Sequence, residues 1–260
     1  MRALLPQPVE AVDLVETYSV GAPGNGPWFV RVSMVSSLDG AVALAGRSGG
    51  LGGEGDRQVL RALRSLCDVV LVGARTARAE HYRRARLPAE LQQARLARGQ
   101  GPLPPIAVVT RGTDLDWSSD LFGAGEPRTL LVAPEGVEPP GPDRSAVEVV
   151  PAGKGAVDLR AALSALHERG LHHVLCEGGP TLNAALSAAG LVDELCLTMS
   201  PMLVGPREGA LLGGWSAGPA RWADGPGGPD DRPRRLRLLS LLEEEGFLFL
   251  RLAASEPGDA

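Results

Sequence analysis

Two adjacent glycines, Gly178 and Gly179, separate a short apolar run from a segment that begins at Pro180 with apolar residues at helical spacing. This order predicts a buried strand, a sharp turn and a helix. Such a turn leaves backbone N–H groups unpaired at the helix start, where the helix dipole also favours an anion. Glu177 lies at the mouth of the same turn. A tight connection in an α/β protein also explains the glycines, so other parts of the chain must decide between the two interpretations.

Two further strand ends carry groups suited to phosphate. The first runs from Gly73 through Arg75 to Thr76, and the second is Thr110–Arg111. Since ligands bind beyond the carboxyl ends of strands in open α/β sheets, three such ends together predict a dinucleotide that carries an extra phosphate. Each end alone has a simpler interpretation, with the arginines solvated and Thr76 capping a helix. No G-x-G-x-x-G follows the first strand, which argues against an ordinary Rossmann domain.

The elements that position these residues alternate between apolar strands and helices with an apolar stripe. Helices are predicted to begin at the N-caps Asp56 and Asp158 and at Pro180, and strands are predicted at residues 28–35, 68–72, 106–109, 129–133, 147–150, 174–176 and 194–200. Two final runs, 236–242 and 247–253, predict an antiparallel hairpin at the sheet edge. The fold class is therefore α/β, with a mainly parallel central sheet and helices on both faces.

Composition narrows the possible functions. A length of 260 residues without an internal repeat or strong linker favours one domain. The net charge of -5 gives no electrostatic support for binding nucleic acid or an anionic membrane. No apolar run approaches the roughly 20 residues of a membrane span, and the N-terminus does not resemble a signal peptide. The cysteines, Cys67, Cys176 and Cys196, form no disulfide or zinc pattern, so we expect reduced thiols in the cytoplasm and no metal site.

Five motifs occur in an order and spacing that resemble a known family: Ser37–Gly40, Val72–Thr76, Glu177–Leu182, Leu191–Leu195 and Pro201–Gly205. The set is similar to the reductase domain of bacterial riboflavin biosynthesis, a pyrimidine reductase family with a fold similar to dihydrofolate reductase. The resemblance gives a reductase domain at residues 28–253, with an N-terminal extension at 1–27 and a disordered tail at 254–260. The signature of the zinc deaminase domain that is often fused to this reductase is absent, so the resemblance implies a stand-alone reductase.

The resemblance implies the cofactor, the substrate and the residues that hold them. NADPH would contact Gly73, Thr76, Glu80, Thr110, Arg111, Gly178, Gly179, Pro180, Thr181 and Leu182. The substrate of the family reductase, 5-amino-6-(5-phosphoribosylamino)uracil, has its ribose opened and reduced to ribitol by hydride transfer. Ser48, Arg64, Arg84 and Arg86 would bind this phosphorylated pyrimidine. The resemblance also implies a homodimer.

Two acidic residues at strand ends, Asp39 and Glu177, are candidates for helping protonation during hydride transfer. A local turn that satisfies backbone groups explains Asp39 equally well. The chain departs from the family at Gly49–Gly50, where an aromatic residue is common, and at Ala79–Tyr82, where the family has A-D-D-P. These departures leave the substrate open, and two alternatives remain: a reductase of another heterocycle such as dihydrofolate, or a non-catalytic NADPH-binding paralogue.

Overall fold

The computed structural model describes residues 1–20, 26–140, 146–205 and 235–254. The strands in these ranges are β1 (Arg2–Leu5), β2 (Phe29–Ser37), β3 (Val69–Gly73), β4 (Ile106–Val109), β5 (Thr129–Ala133), β6 (Val147–Pro151), β7 (His173–Cys176), β8 (Glu194–Ser200), β9 (Leu236–Glu244) and β10 (Phe247–Ala254). The helices are α1 (Leu14–Tyr18), α2 (Glu54–Leu66), α3 (Ala74–Ala79), α4 (Ala89–Ala97), α5 (Leu159–His167) and α6 (Pro180–Ala188).

The described strands form one sheet in the order β1-β9-β10-β8-β2-β7-β3-β4-β5-β6. From β8 to β6 all neighbours run parallel, and β9 and β10 form an antiparallel hairpin. Both faces are covered: α2 contributes Val59 and Leu63 to one core, and α5 contributes Leu163 to the other. Coverage on both faces explains why β3 and β4 are continuously apolar. The predicted α/β class with a mainly parallel sheet is confirmed.

Two local predictions were wrong. Helix α2 begins at Glu54 with Gly53 as its N-cap, so Asp56 lies inside the first turn and does not cap the helix. The C-terminal hairpin is not the sheet edge, because β1 pairs antiparallel with β9. Asp158 does cap its helix, as predicted, by accepting hydrogen bonds from two backbone amides. Residues 255–260 of the predicted tail lie outside the described residues.

The N-terminal segment shares the core of the sheet. Ala3 and Tyr18 pack in the same apolar cluster as Phe249, and α1 packs against α2. A buried ion cluster connects the segment to the middle of the sheet: Glu194 accepts from Arg31 Nε at 2.5 Å and from Arg251 Nε at 2.9 Å. The two arginines in turn donate to the carbonyl oxygens of Tyr18 and Thr17. The segments before and after residue 28 therefore belong to one continuous sheet. The domain boundary predicted at residue 28 stays a prediction.

The three cysteines are all free and buried. Burial raises the pKa of the Cys67 and Cys176 thiols to about 12, so neither is reactive near neutral pH. Among the described helices, none has the length and apolar character needed to cross a membrane. The predicted cytoplasmic location stays a prediction.

The sheet leaves a gap at its centre. Strand β7 ends at Cys176, whereas β2 on one side continues to Ser37 and β3 on the other continues to Gly73. A short strand between two longer parallel neighbours leaves a space at the carboxyl edge of the sheet. Glu177 and the two glycines that follow it lie at the floor of this space.

We expect Glu194→Gln to lower the free energy of unfolding by about 3 kcal/mol, because it leaves two buried guanidinium groups without a charge partner. Glu148→Gln is a matched control. Glu148 also lies on a strand and also contacts two arginines, but its side chain is about one third exposed. The control should cost less than about 1 kcal/mol. Urea denaturation measures both values, and equal losses would contradict a structural role for the buried cluster.

Candidate active site

A cleft of about 980 Å³ opens at the gap beyond β7. One wall is formed by the ends of β3 and β4 and the start of α6, and the other by the end of β2, the loop that follows it and the first turns of α2. The lining includes Ser48, Gly73, Thr76, Glu80, Thr110, Arg111, Glu177, Gly179, Pro180, Thr181 and Leu182. The fold thus brings most of the residues predicted for cofactor and substrate into one cavity.

The glycine turn packs tightly against β3 and α3. The Gly73 amide donates to the Gly178 carbonyl oxygen at 2.7 Å, and the peptide bond between Gly178 and Gly179 is cis. Gly178 has a φ of +85°, a conformation that favours glycine. A Cβ on Gly179 would overlap the Thr76 hydroxyl. Glycine therefore occupies both positions because the backbone at Gly178 has a conformation that favours glycine, and because a side chain at Gly179 would not fit against Thr76.

The residues around this turn have the chemistry expected of a site for the phosphate groups of a dinucleotide. The N-terminus of α6 lies at this turn, with Gly179 as its N-cap, and there the unpaired backbone N–H groups and the helix dipole favour negative charge. Arg75, Thr76 and Arg111 line the same wall, and they supply two guanidinium groups and a hydroxyl. The Thr110 hydroxyl is used locally and donates to the Gly112 carbonyl oxygen at 2.8 Å.

We expect Gly179→Ala to destabilise the protein by about 1–3 kcal/mol, because the new methyl group overlaps the Thr76 hydroxyl. Thr76→Ala in the same background removes the oxygen and should restore at least about 1 kcal/mol of the loss. A double-mutant cycle in urea measures this coupling. Additive effects of the two substitutions would show that the glycine is required for another reason.

Glu177 stands at the floor of the cleft in a cluster of three side chains. Arg64 donates through Nε to Oε1 and through Nη2 to Oε2, both at 2.7 Å, and the Tyr82 hydroxyl donates to Oε2 at 2.5 Å. Strand alternation turns Glu177 to the face that α2 covers, which is why Arg64 of α2 reaches it. The carboxylate is 9% exposed, so its orientation toward the cleft is fixed by these donors.

Tyr82 was not predicted as a site residue. It occupies the last position of the Ala79–Tyr82 stretch, where the chain departs from the family, so that departure was the available signal. Burial, and then the adjacent Glu177 charge, raise the pKa of the Tyr82 hydroxyl well above its usual value of 10.0. Tyr82 therefore remains a hydrogen-bond donor to Glu177 at any pH where the protein is folded.

Neither tyrosine of the chain should ionise while the protein is folded. Burial raises the pKa of Tyr18 as well as that of Tyr82, whereas tyrosines of the unfolded chain ionise near pH 10. Because both folded pKa values are raised, the stability from these hydroxyls is fully present below about pH 10 and falls above it by about 1.4 kcal/mol per pH unit for each tyrosine.

A spectroscopic titration tests this prediction, because tyrosinate absorbance should appear only together with the loss of circular dichroism. Tyr82→Phe should retain half of the absorbance change. A tyrosine that ionises near pH 10 with the dichroism intact would contradict the prediction.

Besides Gly178 and Arg64, three predicted residues lie outside the lining of the cleft: Arg84, Arg86 and Asp39. Arg84 donates to the Gly123 carbonyl oxygen, and Arg86 is exposed. Asp39 is exposed and accepts hydrogen bonds from the Ser37 hydroxyl and from the amides of Val204 and Gly205, which hold the pKa of its carboxyl below the usual value. Asp39 therefore does satisfy backbone amides, but those of Val204 and Gly205 are 165 and 166 residues away along the chain, so this is not the local turn that was considered. The substrate and catalytic roles of these three residues stay predictions.

Arg64 also lies outside the lining and reaches the cleft through Glu177. A second residue that sequence reasoning missed, Asp56, does line the cleft. It stands two helical turns before Arg64 on α2, and this spacing of eight residues was the signal that both belong to one face. Burial raises the pKa of the Asp56 carboxyl above its usual value.

The chain that forms this cleft is similar to known proteins of one family. Residues 28–217 match the RibD C-terminal domain. The chain belongs to this family. A relative from Methanothermobacter thermautotrophicus, named 2,5-diamino-6-ribosylamino-4(3H)-pyrimidinone 5′-phosphate reductase, is 32% identical over 189 residues, which cover 71% of this chain and 82% of the relative. A relative of the same name from Archaeoglobus fulgidus is 31% identical over 69% of this chain and 83% of its own length.

The fold of the family is also seen in a solved structure. A pyrimidine reductase-like protein from Corynebacterium diphtheriae superposes with a TM-score of 0.76 and 28% identity, covering 94% of this chain and 99% of that one. The predicted family and fold class are therefore confirmed. The match to the family begins at residue 28, where the reductase domain was predicted to begin.

Proposed function

We propose that the chain is an NADPH-dependent reductase of riboflavin biosynthesis that reduces the ribose of a phosphoribosylamino-pyrimidine. The observation that carries this proposal is the two-walled cleft, with a glycine turn and cations on one side and the Arg64–Glu177–Tyr82 cluster at its floor. The names of the relatives, which are reductases of this kind of substrate, support it. The homodimer and the cytoplasmic location are part of the same proposal and rest on the family resemblance.

The wall of β3, β4 and α6 is the cofactor side in this proposal. We assign the pyrophosphate to the N-terminus of α6 at Gly179, and the 2′-phosphate to Arg111, which lines the same wall. Bound NADPH supplies a hydride. The packing of Gly73 and Thr76 against the turn would set the depth at which the cofactor binds, and hydride transfer depends steeply on that position.

The wall of β2 and α2 is the substrate side. The Ser48 amide donates a hydrogen bond to Glu80 at 2.6 Å, so a residue predicted to bind the substrate contacts one predicted to bind the cofactor. Glu177 presents a carboxylate whose orientation Arg64 and Tyr82 maintain, and we assign it to the hydroxyl groups and the transferred proton of the opened ribose. Of the two acids considered for this step, Glu177 is the one that lines the cleft.

Steady-state oxidation of NADPH, followed by its absorbance, tests the proposal with the phosphoribosylamino-pyrimidines and, in parallel, with dihydrofolate. We expect turnover with a pyrimidine substrate only. Glu177→Gln should lower kcat by about 100-fold, because the amide cannot hold both Arg64 and the reacting ribose. Glu54→Gln, an exposed acid at the start of α2, is the control and should leave kcat unchanged. Turnover of dihydrofolate, or of neither substrate class, would overturn the proposal.

A further inference from the structure

Two of the sequence motifs, Ser37–Gly40 and Pro201–Gly205, lie within the described residues but outside the lining of the cleft. The structure joins them through Asp39. Its carboxylate accepts hydrogen bonds from the Val204 amide at 3.0 Å and from the Gly205 amide at 2.7 Å, both through Oδ2. One of the two acids considered for protonation therefore connects the loop after β2 to the loop after β8.

The hydroxyl of Ser37 carries this connection to the wall of the cleft. It donates to Asp39 Oδ1, and the same oxygen accepts a hydrogen bond from the Ala41 amide at 2.9 Å. The Ser37 amide also donates to the Ala41 carbonyl oxygen at 2.9 Å, so the two residues are bonded in both directions. Because an ionised carboxylate can only accept, Asp39 fixes the direction of the Ser37 proton and leaves the lone pairs of that oxygen to Ala41.

Ala41 begins the loop that forms part of the substrate side of the cleft. The residues of this loop that line the cleft are Ala41, Val42, Ala43, Gly46 and Ser48. Ala41 is buried, and at the far end of the loop the Ser48 amide donates to Glu80 at 2.6 Å. The loop is therefore fastened at both ends, and the contacts of Asp39 and Ser37 fasten the end nearer to β2.

We propose that Asp39 is a positioning residue, which holds the substrate-side loop in place through Ser37 and Ala41 and does not touch the reacting atoms. This inference rests on the proposed function and gives Asp39 a role in it other than proton transfer. Within the described residues, the hydrogen bonds of the carboxylate go to the loops after β2 and β8, whereas β3, β4 and α6 form the cofactor side. Loss of Asp39 should therefore impair use of the pyrimidine and leave NADPH binding unchanged.

The first test separates the two sides of the cleft. In Asp39→Ala we expect kcat/KM for the phosphoribosylamino-pyrimidine to fall at least about tenfold, because a small displacement of a positioning group costs a large part of the rate. The Kd of NADPH, measured by its fluorescence, should stay within about twofold of the native value. Asp158→Ala is the matched control, since Asp158 is also exposed and also accepts from two backbone amides, but at the start of α5. It should leave both quantities unchanged.

The second test asks whether Asp39 acts through Ser37. Ser37→Ala removes the hydroxyl and leaves the carboxylate free to accept from Val204 and Gly205, so it should lower kcat/KM for the pyrimidine as Asp39→Ala does. The double variant should be no worse than the weaker single variant, because both changes interrupt one chain of contacts. Asp39→Asn keeps one oxygen that can accept from the amides, and it should recover at least about a threefold part of the loss.

Hydrogen–deuterium exchange gives a readout that does not depend on turnover. In Asp39→Ala, peptides that cover residues 38–48 should exchange at least about tenfold faster than in the native protein, because the near end of the loop is released. Peptides that cover β3 at residues 69–73 should exchange at the native rate. Circular dichroism confirms that the variant is folded. If Asp39→Ala does not fold, Ser37→Ala takes its place in each measurement.

The outcomes separate this inference from the proposed function. If the native protein oxidises NADPH with no phosphoribosylamino-pyrimidine, the proposed function is overturned and the inference with it. If the native protein turns over and Asp39→Ala leaves kcat/KM unchanged, the inference alone is wrong. It is also wrong if the Kd of NADPH rises by the same factor, because general loosening would affect both sides of the cleft. Native exchange rates at residues 38–48, or additive effects of the Asp39 and Ser37 variants, would likewise overturn it.

Discussion

The bidentate contact between Arg64 and Glu177 joins the two parts of the molecule on which the cleft depends. Arg64 belongs to a helix on one face of the sheet, and Glu177 directly follows a four-residue parallel strand at its centre. Because a bidentate contact restricts both the distance and the relative orientation of the guanidinium and the carboxylate, it limits how far α2 can lie from the glycine turn. The width of the cleft between cofactor and substrate sides follows from that separation.

The contact between Arg64 and Glu177 requires further hydrogen-bond donors from the surrounding residues. A charged pair with little exposure is stable only when its remaining atoms are satisfied, and Tyr82 supplies the third donor to Glu177. Tyr82 lies in the segment that follows α3, and α3 itself packs against the glycine turn through Thr76. One short segment therefore contacts both the cofactor side and the carboxylate, so a shift of α3 would move both together.

Much of this could be predicted from the sequence, and the failures have physical causes. The glycines and the apolar runs predicted the parallel strands and the turn after Glu177, because backbone conformation and burial each restrict which residue types can occupy a position. Asp56 was wrongly predicted to be an N-cap because an acidic residue near a helix start matches that pattern. The direction of its side chain depends on Gly52, which leaves room for the carboxylate, and on a hydrogen bond with Thr198, which is distant in sequence. Tyr82 and the β1–β9 pairing were missed for the same reason, since long-range contacts leave no periodic signal.

The pairing of β1 with β9 bears on how the protein tolerates shortening. The match to the family begins at residue 28, and a chain cut there would lose β1 and α1. The edge of β9 that β1 covers at Leu241–Glu243 would then be open, and another chain can add a strand to an open edge. Arg31 and Arg251 would also lose the carbonyl oxygens of Tyr18 and Thr17. The first twenty residues thus cover part of the sheet edge and complete the buried ion cluster of the family domain.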